Sequence, residues 1–212
     1  MPASNPNIQA FWYLVNHHVA ELRSLVSDQA ALPPEFLDAL QDALTAIDPC
    51  LTVFCTPQEE STEVNMVFGC DGYQQGIEQV LELVANAPVM EGIKPIAFSP
   101  RSSHIPDGID LDGLLVQLED VYYSLQRVKG NLHLDLYLED LSLHEDDLRV
   151  EAALMFLEAI IGEFDLMTRI ASIDWHDLPS DPEDHGLKTL NHLRSSYDAF
   201  GPLNADYGML LH

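Results

Sequence analysis

The sequence predicts an α+β protein with a mainly antiparallel sheet of about six strands, and three observations lead there. One order of segments occurs twice: two short alternating stretches, an amphipathic helix, then a third extended stretch. Two further helical patterns precede the first copy and one follows the second. The composition, 47% hydrophobic and 21% charged in 212 residues, is that of a globular chain able to bury a core. Two β-β-α-β units joined edge to edge give a single domain over 1–212, with the helices mainly on one face. Two separate sheets packed as a pseudo-dimer are the alternative arrangement.

Residues 1–49 hold the extra N-terminal helices. Phe11, Leu14, Val15, Val19, Leu22 and Val26 recur at spacings of three and four, the mark of an amphipathic helix capped at Asn5 or Asn7 and ended over 28–34. Behind Pro33 and Pro34, a second helix carries Phe36, Leu37, Leu40, Leu44 and Ile47, and Pro49 closes it.

The first unit, 50–99, has extended stretches at 51–56 and 63–69, a helix over 74–85 and a return at 93–99. Val64, Met66 and Phe68 alternate with their neighbours at the period of a strand. Ala87 and Pro88 stop the helix, and Pro95 marks an edge position or a bulge in the third stretch. Residues 100–113 read as an irregular connection and the natural boundary between the units.

In the second unit, 114–175, stretches at 121–128 and 132–139 are joined by a turn at Lys129 and Gly130. Leu132, Leu134, Leu136 and Leu138 alternate with His133, Asp135, Tyr137 and Glu139, so the four leucines face the helices. The helix over 146–161 carries a wide apolar stripe that includes Leu154 and Met155, and the third stretch covers 164–175. A C-terminal helix over 187–200 and a tail complete 186–212.

The charge is one-sided, with 35 Asp and Glu against 9 Lys and Arg, a formal net charge of -26. Such a field repels phosphate backbones and anionic lipid, so neither nucleic acid nor membrane is an expected partner. Cations are favoured: a basic protein, a polyamine or a divalent ion. Solubility alone also accounts for an acidic surface. Cys50, Cys55 and Cys70 are too few and odd in number for a disulfide framework, which fits a reducing cytoplasm and buried thiols. The N-terminal sequence has no signal-peptide pattern, and no apolar run has the length of a membrane span.

No phosphate loop, dinucleotide fingerprint, nucleophile elbow or HExxH motif occurs, and no cofactor is expected. His17 and His18 are adjacent, so a helix points them about 100° apart and denies them the spacing of a metal pair. Asp107, Asp110 and Asp112 with Gly108 and Gly113 fail the spacing of a calcium loop and are explained by turns. His144 to Asp147 fit the first turn of a helix, where acidic groups complement the dipole.

Two places could carry chemistry. One is the polar strand face of His133, Asp135, Tyr137 and Glu139 with Tyr122 or Ser124 opposite, which equally suits a solvated sheet. The other is the acidic stretch 175–185, where Trp175, His176 and Asp177 precede Asp181, Glu183, Asp184 and His185. No stoichiometric metal is expected, and His176 and His185 are the weak candidates as ligands. Phe11, Trp12 and Tyr13 form an aromatic cluster suited to anchoring a protein partner.

The aromatic opening helix at Phe11 and Trp12, Asp71 and Gly72 after the hairpin, the helix closing at Ala87 and Pro88, and Gly162-Glu163-Phe164-Asp165 together resemble an uncharacterised family of bacterial proteins of about this length, a domain of unknown function. The resemblance implies the fold and a bacterial cytoplasmic setting, and transfers no catalytic residue. The sequence favours an acidic, non-catalytic binding module that engages a basic protein partner, in the manner of an immunity protein or a chaperone. A small hydrolase-type enzyme at either polar place is the alternative, and a homodimer is an open arrangement.

Overall fold

The computed structural model describes residues 5–27, 31–58, 62–141 and 147–201, and the chain divides into two compact units, Met1–Ser99 and Pro100–His212. The helix end expected over 28–30, the helix opening at His144 to Asp146 and the tail beyond Gly201 lie outside the described residues.

In the first unit, α1 (Pro6–His17) is capped by Asn5, whose side-chain oxygen accepts from the Asn7 N–H at 3.0 Å. Pro6 stands at the start, where a missing N–H leaves no bond unmade. The single helix expected through Val26 is broken at His18. There the backbone N–H bonds Val15 O, and the Nδ1 atoms of His17 and His18 donate to Tyr13 O and Leu14 O at 2.8 and 3.0 Å. The chain resumes as α2 (Val19–Ser27) and, after Pro33, α3 (Pro34–Thr45). The His18 ring stacks on Phe36 of α3 at 4.5 Å.

A hairpin of β1 (Thr52–Pro57) and β2 (Val64–Gly69) leads through one 3-10 turn into α4 (Ile77–Ala85), and β3 (Ile93–Ala97) returns parallel to β2. The order β1-β2-β3 leaves Pro95 on an edge strand, where its missing donor breaks no ladder. Gly76 precedes α4 at a tight approach: a Cβ there would stand 2.6 Å from Cys50 Sγ and 2.7 Å from Cys70 Cβ. The Cys70 Cβ is fixed to backbone and cannot step aside. Gly76→Ala should therefore cost about 1–3 kcal/mol, as overpacked sites do, seen as a lower urea midpoint at unchanged slope. An unchanged midpoint would show that the approach relaxes freely.

The second unit opens with a hairpin of β4 (Gly108–Leu111) and β5 (Leu114–Gln117), absent from the sequence expectation of an irregular 100–113. Its two-residue turn holds Asp112 and Gly113 at φ 53° and 85°, the positive values such hairpins need, and Asp110 Oδ1 accepts from the Gly113 N–H at 2.9 Å. Next come β6 (Tyr122–Val128) and β7 (Asn131–Leu138), joined at Lys129 and Gly130 with φ 52° and 96°. Then follow α5 (Leu148–Ile161), α6 (Glu163–Arg169), β8 (Ile170–Asp177), the short β9 (Lys188–Thr189) and α7 (Leu193–Asp198). The sheet order is β8-β7-β6-β9, with β8 parallel to β7. Both units therefore share one connectivity: a hairpin, a helical crossover, and a parallel strand on the far side of the second.

Leu132, Leu134 and Leu136 are fully buried and Leu138 is nearly so, against Ala152, Phe156, Leu157 and Ile160 of α5. The last carbonyls of α5 are all met. Gly162 N–H bonds Glu158 O, Ser102 N–H bonds Ala159 O, Arg101 Nε donates to Ile161 O, and Arg194 donates to both Ile160 O and Ala159 O.

The single six-strand sheet is corrected to three sheets among the described residues. Pro95 bars a further strand on β3, and β9 occupies the β6 edge through Tyr122 and Tyr123. The same pairing shortens the expected C-terminal helix, because Lys188 and Thr189 are extended. The third stretch of the second unit begins as α6, not as strand. Gly162, at φ 90°, lets the chain leave α5 and restart, and the Arg169–Asp165 ion pair at 3.1 Å braces the new turn. Leu154 and Met155 lie outside the buried stripe of α5, at 36% and 44% exposure.

Candidate functional site

The face of β8-β7-β6-β9 opposite the leucines gathers the polar side chains. Since strand side chains alternate, burying Leu132 to Leu138 turns His133, Asp135 and Tyr137 to the other side. Register then sets Gln126, Ser124 and Tyr122 of β6 across from them, and Ser172, Asp174 and His176 of β8 on the far flank. A register irregularity between Leu132 and His133 takes up Ala171 and brings the Ser172 row onto this face.

Hydrogen bonds knit the rows. Asp135 Oδ1 lies 3.2 Å from His176 Nε2, whose ring stacks on Tyr137 with centroids 4.9 Å apart. Gln126 Nε2 donates to Ser124 Oγ at 3.2 Å. Burial, aided by the Asp135 charge, pushes the Tyr137 hydroxyl above its usual range, so it remains a neutral phenol at pH 7. The loop after β8 crosses the end of the sheet to reach β9, and Gly186, at φ 72°, turns it back. This sets His185 beside His176 and Asp177 in an open pocket of about 660 Å³, floored by Ser124, Gln126 and Tyr137. Asp181, Glu183 and Asp184 border a second hollow with Tyr122.

The two polar places expected from sequence are thus one surface, since the strand face and the 175–185 stretch line the same pocket. Glu139 falls just past β7, and its carbonyl accepts from Arg149 Nη1 at 2.9 Å. The aromatic cluster is divided differently from the expectation. Phe11 and Trp12 are buried, meeting Phe68 edge-on with centroids 5.6 and 5.5 Å away, and Trp12 Nε1 donates to Leu83 O at 2.8 Å. Those two rings hold α1 to β2 and α4. Tyr13 is 69% exposed and is the member left at the surface. Ser172, Asp174 and Gln126 went unsingled in the sequence; the alternation of Ser172, Asp174 and His176 with Ile173 and Trp175 is the signal that marks two of them.

The hydrogen-bond directions bear on catalysis. Ser172 Oγ donates to Asp174 Oδ2 at 3.1 Å and so accepts from His133 Nδ1 at 2.9 Å. A hydrolytic triad needs the reverse order, with histidine between acid and hydroxyl and free to take the hydroxyl proton. Among the described residues, no hydroxyl or thiol is hydrogen-bonded to the His176 ring. Nor does any group of three or more His, Cys, Asp or Glu among them come together to hold a metal ion. The Cys50 and Cys55 thiols are both pushed up to about 11, chiefly by burial, which leaves them poor nucleophiles at neutral pH.

No position in the three polar rows is Lys or Arg, while the arginines of this unit are engaged elsewhere. Arg101 pairs with Asp198 at 2.7 Å and Arg149 with Asp147 at 2.8 Å. Arg169 and Arg101 each lie over the Tyr197 ring, and Arg127 donates to Phe200 O. Asp135 and Asp174 thus stand in rows without Lys or Arg, with the His176 ring 3.2 Å from Asp135. Among the described residues, no helix is long and apolar enough to cross a membrane. No family model, curated protein or solved structure matches this chain.

Proposed function

We propose that this chain is a cytoplasmic, non-catalytic binding protein that engages a basic protein through the open face of β8-β7-β6-β9. One observation carries the reading: Asp135, Asp174 and Asp177 stand on or beside that face with no cation among the polar rows, in a chain of net charge -26. A field of one sign over a concave surface concentrates and orients cationic partners, and it acts mainly on the association rate. The Ser172-centred hydrogen bonds argue against hydrolysis at the same place.

Stopped-flow association with a lysine-rich peptide tests this. The rate should fall steeply with added salt, as screening shortens the Debye length below about 8 Å. The triple variant Asp135→Asn, Asp174→Asn, Asp177→Asn should slow association about tenfold at low salt, within the range of electrostatic steering. A control triple, Glu35→Gln, Asp38→Asn, Asp42→Asn on exposed positions of α3, removes the same charge elsewhere and should change the rate far less. Equal slowing by both triples, a salt-independent rate, or a turnover abolished by changing His133 or His176 would each defeat the reading.

A further inference from the structure

We infer that β8 is the receiving edge for this partner, which adds an extended segment as a fifth strand bearing basic residues on one side and apolar residues on the other. The inference rests on the binding reading above and specifies its geometry. Among the described residues β8 has a neighbour on the β7 side only, so past the register irregularity at Ala171 one row of its backbone N–H and C=O groups faces outward along Ser172–Asp177. Such a row is a template for strand pairing unless it is guarded. The β3 edge carries Lys94 and Pro95; β1 bears no charged side chain and ends on Pro57; β9 is two residues long. From Ile170 to Asp177 there is no proline, lysine or arginine.

The side chains of β8 say what would lie alongside. Asp174 and His176 are exposed on the polar side, next to the pocket. Ile173 and Trp175 point the other way and are half-covered at the margin of the core. An added strand places alternate residues against each row, cations beside Asp174 and apolar groups beside Ile173 and Trp175, while main-chain bonds supply affinity. A second copy of the chain is the wrong occupant. It would set Asp174 and Asp177 against like charges on a body that also carries -26.

The test uses the full chain and a capped peptide of about eight residues alternating Lys and Val, sized to a typical strand. Two controls accompany it: the same peptide N-methylated at alternate backbone amides, and one with the lysines and valines in separate blocks. Calorimetric titration should show the alternating peptide binding at least tenfold more tightly than either control, with new amide-exchange protection along β8. Asp174→Lys should weaken it about tenfold at an unchanged urea midpoint. If the N-methylated peptide binds equally well, or protection appears on β1 instead, strand addition at β8 is wrong while the basic-partner reading stands. If the chain alone sediments as a dimer with the β8 amides already protected, a second copy holds the edge and the inference fails. If neither these peptides nor the lysine-rich probe binds at low salt, both readings fall together.

Discussion

Leu136→Ala should lower the stability of the second unit by about 2–5 kcal/mol, the range for a leucine truncated in a packed core. Leu136 is fully buried at the centre of β7, paired with Tyr123 on β6 and Trp175 on β8, and it faces α5. With neighbours on both flanks and a helix above, the site has little room to collapse, so the lost contacts come with a cavity. Each unit holds one of the two tryptophans, Trp12 and Trp175. In a Trp12→Phe background, Trp175 fluorescence therefore follows the affected unit through urea denaturation. Gln126→Ala, at an exposed position on the opposite face, should move the midpoint by no more than about 0.5 kcal/mol. If Leu136→Ala behaved like Gln126→Ala, the burial of the leucine face would be wrong, and with it the outward placement of Asp135 and His133.

That face was the most legible part of the molecule, because four leucines at period two leave a single register that buries them all. Pro95 likewise announced an edge position or a bulge from its chemistry alone, and the edge is what the strand order shows. What the sequence hid was mostly non-local. Nothing within β3 or β6 tells which strand lies beside it, so one sheet and separate sheets were equally compatible with the two repeats until β9 was seen on the β6 edge. The strand expected from Phe164 onward gives way to helix over Glu163–Arg169, where the spacing of four between Asp165 and Arg169 favours a helix. The Asp112-Gly113 pair between Leu111 and Leu114 was a hairpin signal obscured by the surrounding aspartates. Phe11 and Trp12 fall about 100° apart on α1, and both are covered because more than one element packs around that helix. For the site, alternation gave the polar strand face, but only the turn at Gly186 and the crossing loop bring His185 to it.

Arg101 and Arg194 hold the end of the crossover helix, so loss of Arg194 should be felt as stability rather than charge. Arg194 donates through Nη2 to Ala159 O at 2.8 Å and Ser102 O at 2.9 Å, and through Nε to Ile160 O at 3.2 Å. Two of these acceptors end α5, where carbonyls have no intrahelical donor and the helix dipole concentrates negative potential. Arg194→Met keeps much of the aliphatic stem but deletes every donor. Ile160 O then loses its guanidinium partner and Ala159 O keeps only the Ser102 N–H. With each charge-assisted bond worth about 1.5–3 kcal/mol and partial relief from entering water, the net cost should be about 3 kcal/mol. Arg194→Lys should recover only part of it, since an ammonium cannot reproduce the planar fork that spans three carbonyls. Amide exchange at the C-terminal turn of α5 should quicken in the Met variant before global unfolding, while association with the lysine-rich peptide stays within about twofold, because the residue lies off the polar rows and its charge is matched by local dipoles. A Met variant as stable as the parent would mean that these carbonyls find water without cost. One that instead accelerated peptide association severalfold would mean that Arg194 screens the acidic face, and that its guanidinium is less committed to the helix end than the hydrogen bonds indicate.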